Sequence, residues 1–132
     1  MKKFYAFSAI LLGAFMLIGL TLSTSAVAAE IVEASIATEV VDLTPVDADD
    51  SFSSDVGNLK AFIKITGANG TTITHKWYHG EKLMAAVALN IGSDSWRTYS
   101  SKNILESWTG DWHVDITDED GTILKTLDFE VE

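Results

Sequence analysis

Beyond residue 30, apolar and polar residues alternate with a period of two along most of this chain, the pattern of strands with one buried face. From Ala34 to Val41, Ile36, Thr38 and Val40 fall on one side and Glu39 on the other. Leu59-Lys60-Ala61-Phe62-Ile63-Lys64-Ile65 reads as a second strand, closed by Gly67-Ala68-Asn69-Gly70. Asn-Gly between two β-rich runs is a strong hairpin signal, so the strands on either side are expected to pair. Thr71 to His79 sets Ile73, His75, Trp77 and His79 on one face. Gly80-Glu81-Lys82 turns the chain into Leu83 to Ile91, whose Ala and Val content admits a helical reading, although the flanking turns favour a strand. Gly92-Ser93-Asp94 precedes Trp96 to Ser100, and Trp112 to Thr117 alternates again. Asp118-Glu119-Asp120-Gly121 closes a hairpin before the last strand, Ile123 to Val131.

About seven strands separated by turn signals predict an all-β fold, an immunoglobulin-like antiparallel β-sandwich. Residues 42–57, around the single proline Pro45, read as an acidic loop. The N-terminus follows a different pattern. Lys2 and Lys3 precede a charge-free run from Phe4 to Leu22, and Ala26-Val27-Ala28 supplies a small-residue cleavage site. These are the three parts of a secretory signal peptide, which divides the chain into a signal at 1–28 and a β-sandwich domain at 29–132. The apolar run is also near the roughly 20 residues that a spanning helix needs, so a retained anchor is the alternative. In both cases the two lysines hold the N-terminus in the cytoplasm and direct the rest outward. The expected location is periplasmic or secreted, with membrane contact only if the signal segment stays attached.

The chain has no cysteine, which excludes a disulfide framework, a thiolate metal site, a cysteine nucleophile and an acylated-cysteine anchor. Setting aside Lys2 and Lys3 leaves seven cations against nineteen carboxylates, a balance of −12. Nucleic-acid binding needs phosphates neutralised by Lys and Arg, so this balance argues against it, and an anionic membrane surface repels such a domain.

Several stretches resemble a known bacterial family. They are Ile36-Ala37-Thr38-Glu39-Val40 with Thr44-Pro45-Val46-Asp47, Gly70 to Trp77, Trp96 to Lys102, Gly110-Asp111-Trp112-His113-Val114, Asp120 to Leu124, and the closing Phe129-Glu130-Val131. In these residues the chain resembles the DUF2914 family, a bacterial domain of unknown function. The resemblance implies an exported or membrane-tethered β domain, mostly of Gram-negative bacteria. It brings no activity and no functional residues.

Candidate chemistry is sparse. Trp77, Trp96, Trp108 and Trp112, with Tyr78 and Tyr99, are many rings for a small domain. Rings of that size usually form core, and an exposed pair would instead make a stacking platform for a sugar or peptide. Trp96 and Trp108 flank loops and are the stronger platform candidates. Arg97, Ser100, Ser101 and Lys102 put cations beside hydroxyls, a set able to receive a carboxylate or phosphate through the guanidinium fork. The alternative is that both cations pair with surface carboxylates. His75 and His79 lie about 13 Å apart along a strand, too far for one metal. The acidic stretches at 47–55 and 118–121 have oxygen ligands for weak calcium binding but lack an EF-hand pattern. There is no G-x-S-x-G elbow and no Gly-rich phosphate loop, so no enzyme activity and no cofactor are expected. The expected function is a non-enzymatic binding module for an envelope protein or a cell-wall polymer. Its expected site comprises Trp96, Arg97, Tyr99, Ser100 and Lys102, with His75 and Trp77 on a neighbouring strand. A glycan- or wall-binding module using exposed Trp and Tyr, and a structural envelope protein with no discrete ligand, are the alternatives.

Overall fold

The computed structural model describes residues 28–132. The expected signal peptide, apart from its last position, lies outside the described residues. Those residues form strands β1 (Glu30–Ala37), β2 (Glu39–Val41), β3 (Thr44–Val46), β4 (Ser51–Phe52), β5 (Asn58–Thr66), β6 (Thr72–His79), β7 (Lys82–Asn90), β8 (Ser95–Asn103), β9 (Gly110–Thr117) and β10 (Ile123–Val131). Seven are long, and three, β2 to β4, have three residues or fewer.

The strands pair as a three-stranded sheet, β1-β5-β8, against a five-stranded sheet, β4-β10-β9-β6-β7, with β2-β3 as a separate ribbon. All pairings are antiparallel except β4 with β10. Lettered A to G in chain order, the seven long strands divide into A-B-E and G-F-C-D. The chain crosses between sheets from B to C, from D to E and from E to F. This is the expected immunoglobulin-like sandwich, with the fourth strand beside C rather than beside E.

The alternation seen in the sequence decides which face is buried. Leu59, Ala61, Ile63 and Ile65 of β5 meet Ile73 and Trp77 of β6, Trp112, Val114 and Ile116 of β9, and Phe129 and Val131 of β10. Edge-to-face contacts of Trp77 and Phe52 with Phe129, each 6.1 Å between ring centroids, fill the layer near one end. On its other side β5 carries Lys60 and Lys64 around Phe62, which is buried on the outer face, apart from the main core.

Three expectations need correction. Asn69-Gly70 does not join a hairpin, because β5 pairs with β1 and β8 while β6 pairs with β7 and β9. The turn instead carries the chain from one sheet to the other. It is tied down by Gly67 N–H to the Asp94 carbonyl (3.0 Å) and Gly70 N–H to the Ile91 carbonyl (2.9 Å). A left-handed glycine, here Gly70 at φ 81°, serves a corner between layers as well as a hairpin, so the local signal fixes the turn but not the pairing.

The acidic stretch 42–57 is not simply a loop. Asp42 and Leu43, at φ 52° and 55°, form the tip of the β2–β3 ribbon. Further on, Phe52 of β4 is buried beside Phe129 while β4 extends the larger sheet. Two or three residues per strand are too few to show a periodicity. The first strand likewise starts earlier than expected and breaks at Thr38, whose N–H bonds the Val46 carbonyl at 3.2 Å. That break folds the ribbon back over the smaller sheet, where β2 contacts β5 and β3 contacts β1.

Candidate functional site

β8 alternates, so Trp96, Thr98, Ser100 and Lys102 turn toward the opposite sheet while Arg97, Tyr99 and Ser101 turn away. The residues expected to form one site therefore do not share a surface. Trp96, Ser100 and Lys102 join His75 and Trp77 on the inner side, and Arg97 and Tyr99 stand on the outer face. Neighbours in a strand point to opposite sides of a sheet, so closeness in sequence did not mean closeness on the surface.

The inner group is a sealed polar network. His75 and Trp77 have 0% exposure and Ser100 has 3%. The Trp77 Nε1–H donates to Ser100 Oγ at 3.1 Å, and His75 Nδ1 lies 2.7 Å from the same oxygen. His75 Nε2 is buried without a partner. If Ser100 donates to Nδ1, the orphan is an N–H; if Nδ1–H donates, it is a lone pair. Burial pushes the His75 pKa down from 6.5 to about 4, because an imidazolium here would lose its hydration. A Ser–His pair at this separation has the spacing of a nucleophile and its base. Here the pair is closed off between two sheets, where no substrate reaches it.

The two candidate platform tryptophans are half-buried against the core. Trp96 lies under the Gly92 turn, so closely that a methyl group on Gly92 would come within 2.8 Å of its Cη2. Trp108 has the Lys102 ammonium 5.1 Å from its ring centroid, and its carbonyl accepts the Trp112 Nε1–H at 2.9 Å.

The outer face of the smaller sheet is different. Register places Lys60 opposite Ser101, Phe62 opposite Tyr99, and Lys64 opposite Arg97. The Arg97 guanidinium lies 6.0 Å from the Phe62 ring centroid, donates to the Leu43 carbonyl at 3.2 Å, and approaches Glu33 at 3.9 Å. Among the described residues, Glu33 is the one carboxylate within 4.0 Å of any of these three cations. Tyr99 is 38% exposed beside them. Sequence reasoning missed Lys60 and Lys64. Their alternation with Phe62 was visible, but the pairing of β5 with β8 that brings them to Arg97 was not.

This face reflects a wider segregation of charge. Residues 58–103, strands β5 to β8, hold six cations and two carboxylates, a balance of +4 in a described domain of −12. Both carboxylates, Glu81 and Asp94, lie in turns. Elsewhere acidic groups serve the fold: Asp118 Oδ1 accepts the N–H groups of Asp120 and Thr122, each at 2.9 Å, to shape the β9–β10 turn. Among the described residues no three His, Asp or Glu side chains gather as a metal-binding set.

Comparison with known proteins extends the fold description. No curated protein matches the chain. Among solved structures it is similar to the alkylpurine DNA glycosylase AlkC of Pseudomonas fluorescens, bound to DNA containing an abasic site analogue. That match has TM-score 0.52 and 10% identity, and covers 79% of this chain and 30% of the enzyme. It shows a shared fold, and the chain spans less than a third of the enzyme's length. It also matches the CARDB domain of a Pyrococcus furiosus protein in complex with di-metal ions, with TM-score 0.43 and 16% identity over 78% of this chain and 89% of that one. The model of the family described as "Protein of unknown function (DUF2914)" matches residues 70–131, from the turn before β6 to the end of β10. Over that stretch, 62 of the 132 residues, the chain is similar to the DUF2914 family.

Proposed function

We propose that this chain is an exported, non-enzymatic binding module of the bacterial cell envelope. Its partner is an envelope protein or cell-wall polymer that presents carboxylate or phosphate groups. The carrying observation is the outer face of the smaller sheet, where Lys60, Lys64 and Arg97 gather around Tyr99 and Ser101 in a domain that is otherwise strongly acidic. A cationic face on such a domain concentrates field locally and selects anionic partners. Arg97 adds a guanidinium fork matched to carboxylate and phosphate, and Tyr99 adds apolar contact area. Export rests on the signal-peptide pattern of the first 28 residues. The non-enzymatic reading draws support from the sealing of the Ser100–His75 pair between the sheets. A sugar platform built from Trp96 and Trp108 fits less well, since one ring is covered by the Gly92 turn and the other by Lys102.

The test compares two proteins: the chain produced in full in an exporting host, and a Lys60→Ala, Lys64→Ala variant. Arg97 is left intact because it also holds the ribbon tip. Each is incubated with purified cell-wall sacculi and, separately, with solubilised envelope. Binding that falls with added salt and is lost in the variant supports the reading. Equal retention of both proteins would refute it and leave the structural envelope protein without a discrete ligand.

A further inference from the structure

Apart from the β2–β3 ribbon, the two main sheets of the described residues have four edges, and three of them are blunted. β1 carries Glu30 and Glu33 and an irregularity between Ile31 and Glu33. β4 is two residues long and leaves Ile123 to Phe129 of β10 as the rest of that edge. That stretch carries Lys125, Asp128 and a register shift between Ile123 and Lys125, and β8 carries Arg97 and Lys102. Charges, bulges and shortness are the usual means of stopping an edge from pairing with another chain. β7 lacks them over most of its length. Leu83 to Asn90 holds no charged residue, and Ala85 to Asn90 pairs one for one with β6, leaving the other side of six consecutive residues without a neighbouring strand. Ala86 and Ala88 are exposed on the outer side. Ala85, Val87 and Leu89 face inward by register yet remain half-exposed, because the opposing sheet ends at β8.

We propose that β7 is a docking edge for a second copy of this chain, the two β7 strands pairing antiparallel about a two-fold axis to join their five-stranded sheets. Charge selects this occupant. Two acidic copies repel except where carboxylates are absent, and neither β6 nor β7 contains one. A two-fold pairing sets each strand against its own reverse, so a charged residue near the middle would face its like; β7 has none there. Its one charge, Lys82, lies at the strand's start, and reversal brings it toward the turn containing Asp94 of the other copy, an opposite charge. The inward Ala85, Val87 and Leu89 of both copies then lie side by side, reducing their exposure. This surface is separate from the cationic face, so either proposal stands if the other fails.

Sedimentation equilibrium over a wide micromolar range, on the full chain as an exporting host delivers it, reads the assembly directly. A concentration-dependent dimer is expected. Two variants accompany it, Ala86→Lys with Ala88→Lys and Ala86→Glu with Ala88→Glu, both on the exposed side and each checked for an unchanged melting curve. Like charges facing across the strand pair should weaken each variant's self-association at least about tenfold. An equimolar mixture of the two should regain dimers through opposite charges. A wild-type chain that stays monomeric, variants that dimerise as well as wild type, or a mixture without recovery would each overturn the proposal.

Discussion

His75 makes the stability of this domain depend on pH in a direction and amount that follow from its place in the core. It is fully buried, one ring nitrogen faces Ser100, and the other has no partner. Protonation would place a charge in the core and make both ring nitrogens donors, with the Nε2–H unpartnered, and burial lowers the folded-state pKa from 6.5 to about 4. The unfolded chain binds a proton below about pH 6.5, and the folded chain does so only near pH 4. Between those values the unfolded state carries more protons, so stability is fully present above the upper limit and declines as pH falls toward the lower one. At about 1.4 kcal/mol per pH unit, the interval amounts to about 3 kcal/mol, a substantial share of a small domain's stability. The chain also carries nineteen acidic residues and two other histidines, so the measurement has to be a difference. His75→Phe keeps a ring of similar size and cannot titrate. Urea unfolding of both proteins at intervals from pH 7.5 to 4 gives the two stability curves. Wild type should lose about 3 kcal/mol relative to the variant across the window. A constant difference would refute the reasoning, and a difference opening in the opposite direction would show that the buried imidazole is held charged.

Three further outcomes follow from contacts in the fold. Ser100→Ala removes the one partner of both the Trp77 indole N–H and the His75 Nδ1, so the domain should lose roughly 2–4 kcal/mol in urea unfolding, more than an isolated surface hydroxyl would cost. Gly92→Ala puts a methyl against the Trp96 ring and should cost about 1–3 kcal/mol, with a shift in tryptophan emission as the indole moves outward. Replacing Asp42-Leu43 by Asn-Gly puts glycine at the left-handed position of Leu43 and Asn, which tolerates that region, at 42, and should raise stability by about 1 kcal/mol in thermal unfolding.

Much of the sandwich was legible because period two is a direct consequence of pleated backbone meeting one apolar layer. Trp112 to Ile116 shows it plainly: Trp112, Val114 and Ile116 are buried while His113 and Asp115 between them are only half-buried, as their alternation requires. Pairing was less legible. Leu59 to Ile65 read as a strand, yet nothing local showed that its partners were residues 30–37 and 95–103. That missing register hid Lys60 and Lys64 from the candidate site and drew His75, Trp77 and Ser100 into it. Those three are together, as the grouping supposed, but they meet inside the core. The parity of β8 was readable too, since Arg97 and Tyr99 alternate with Trp96 and Thr98. Taking both parities into one site was the step that the pleat forbids.

Charge and topology together give the strands between Asn58 and Asn103 their distinct role. Acidic residues fill the segments before and after them, where they shape turns and keep the domain soluble. The acid-free strands are divided between the two sheets: β5 and β8 pair in one, β6 and β7 in the other. This division produces two different surfaces, a cationic face with Glu33 of β1 at its margin and a neutral edge. The neutral edge and the strand beside it lie wholly within the family-matched residues 70–131, whereas the cationic face takes Arg97 and Tyr99 from inside that stretch and Lys60 and Lys64 from before it. A determinant carried by the matched stretch alone can therefore include self-pairing through β7. Recognition of an anionic partner needs β5 as well, and so depends on residues that the family match does not reach.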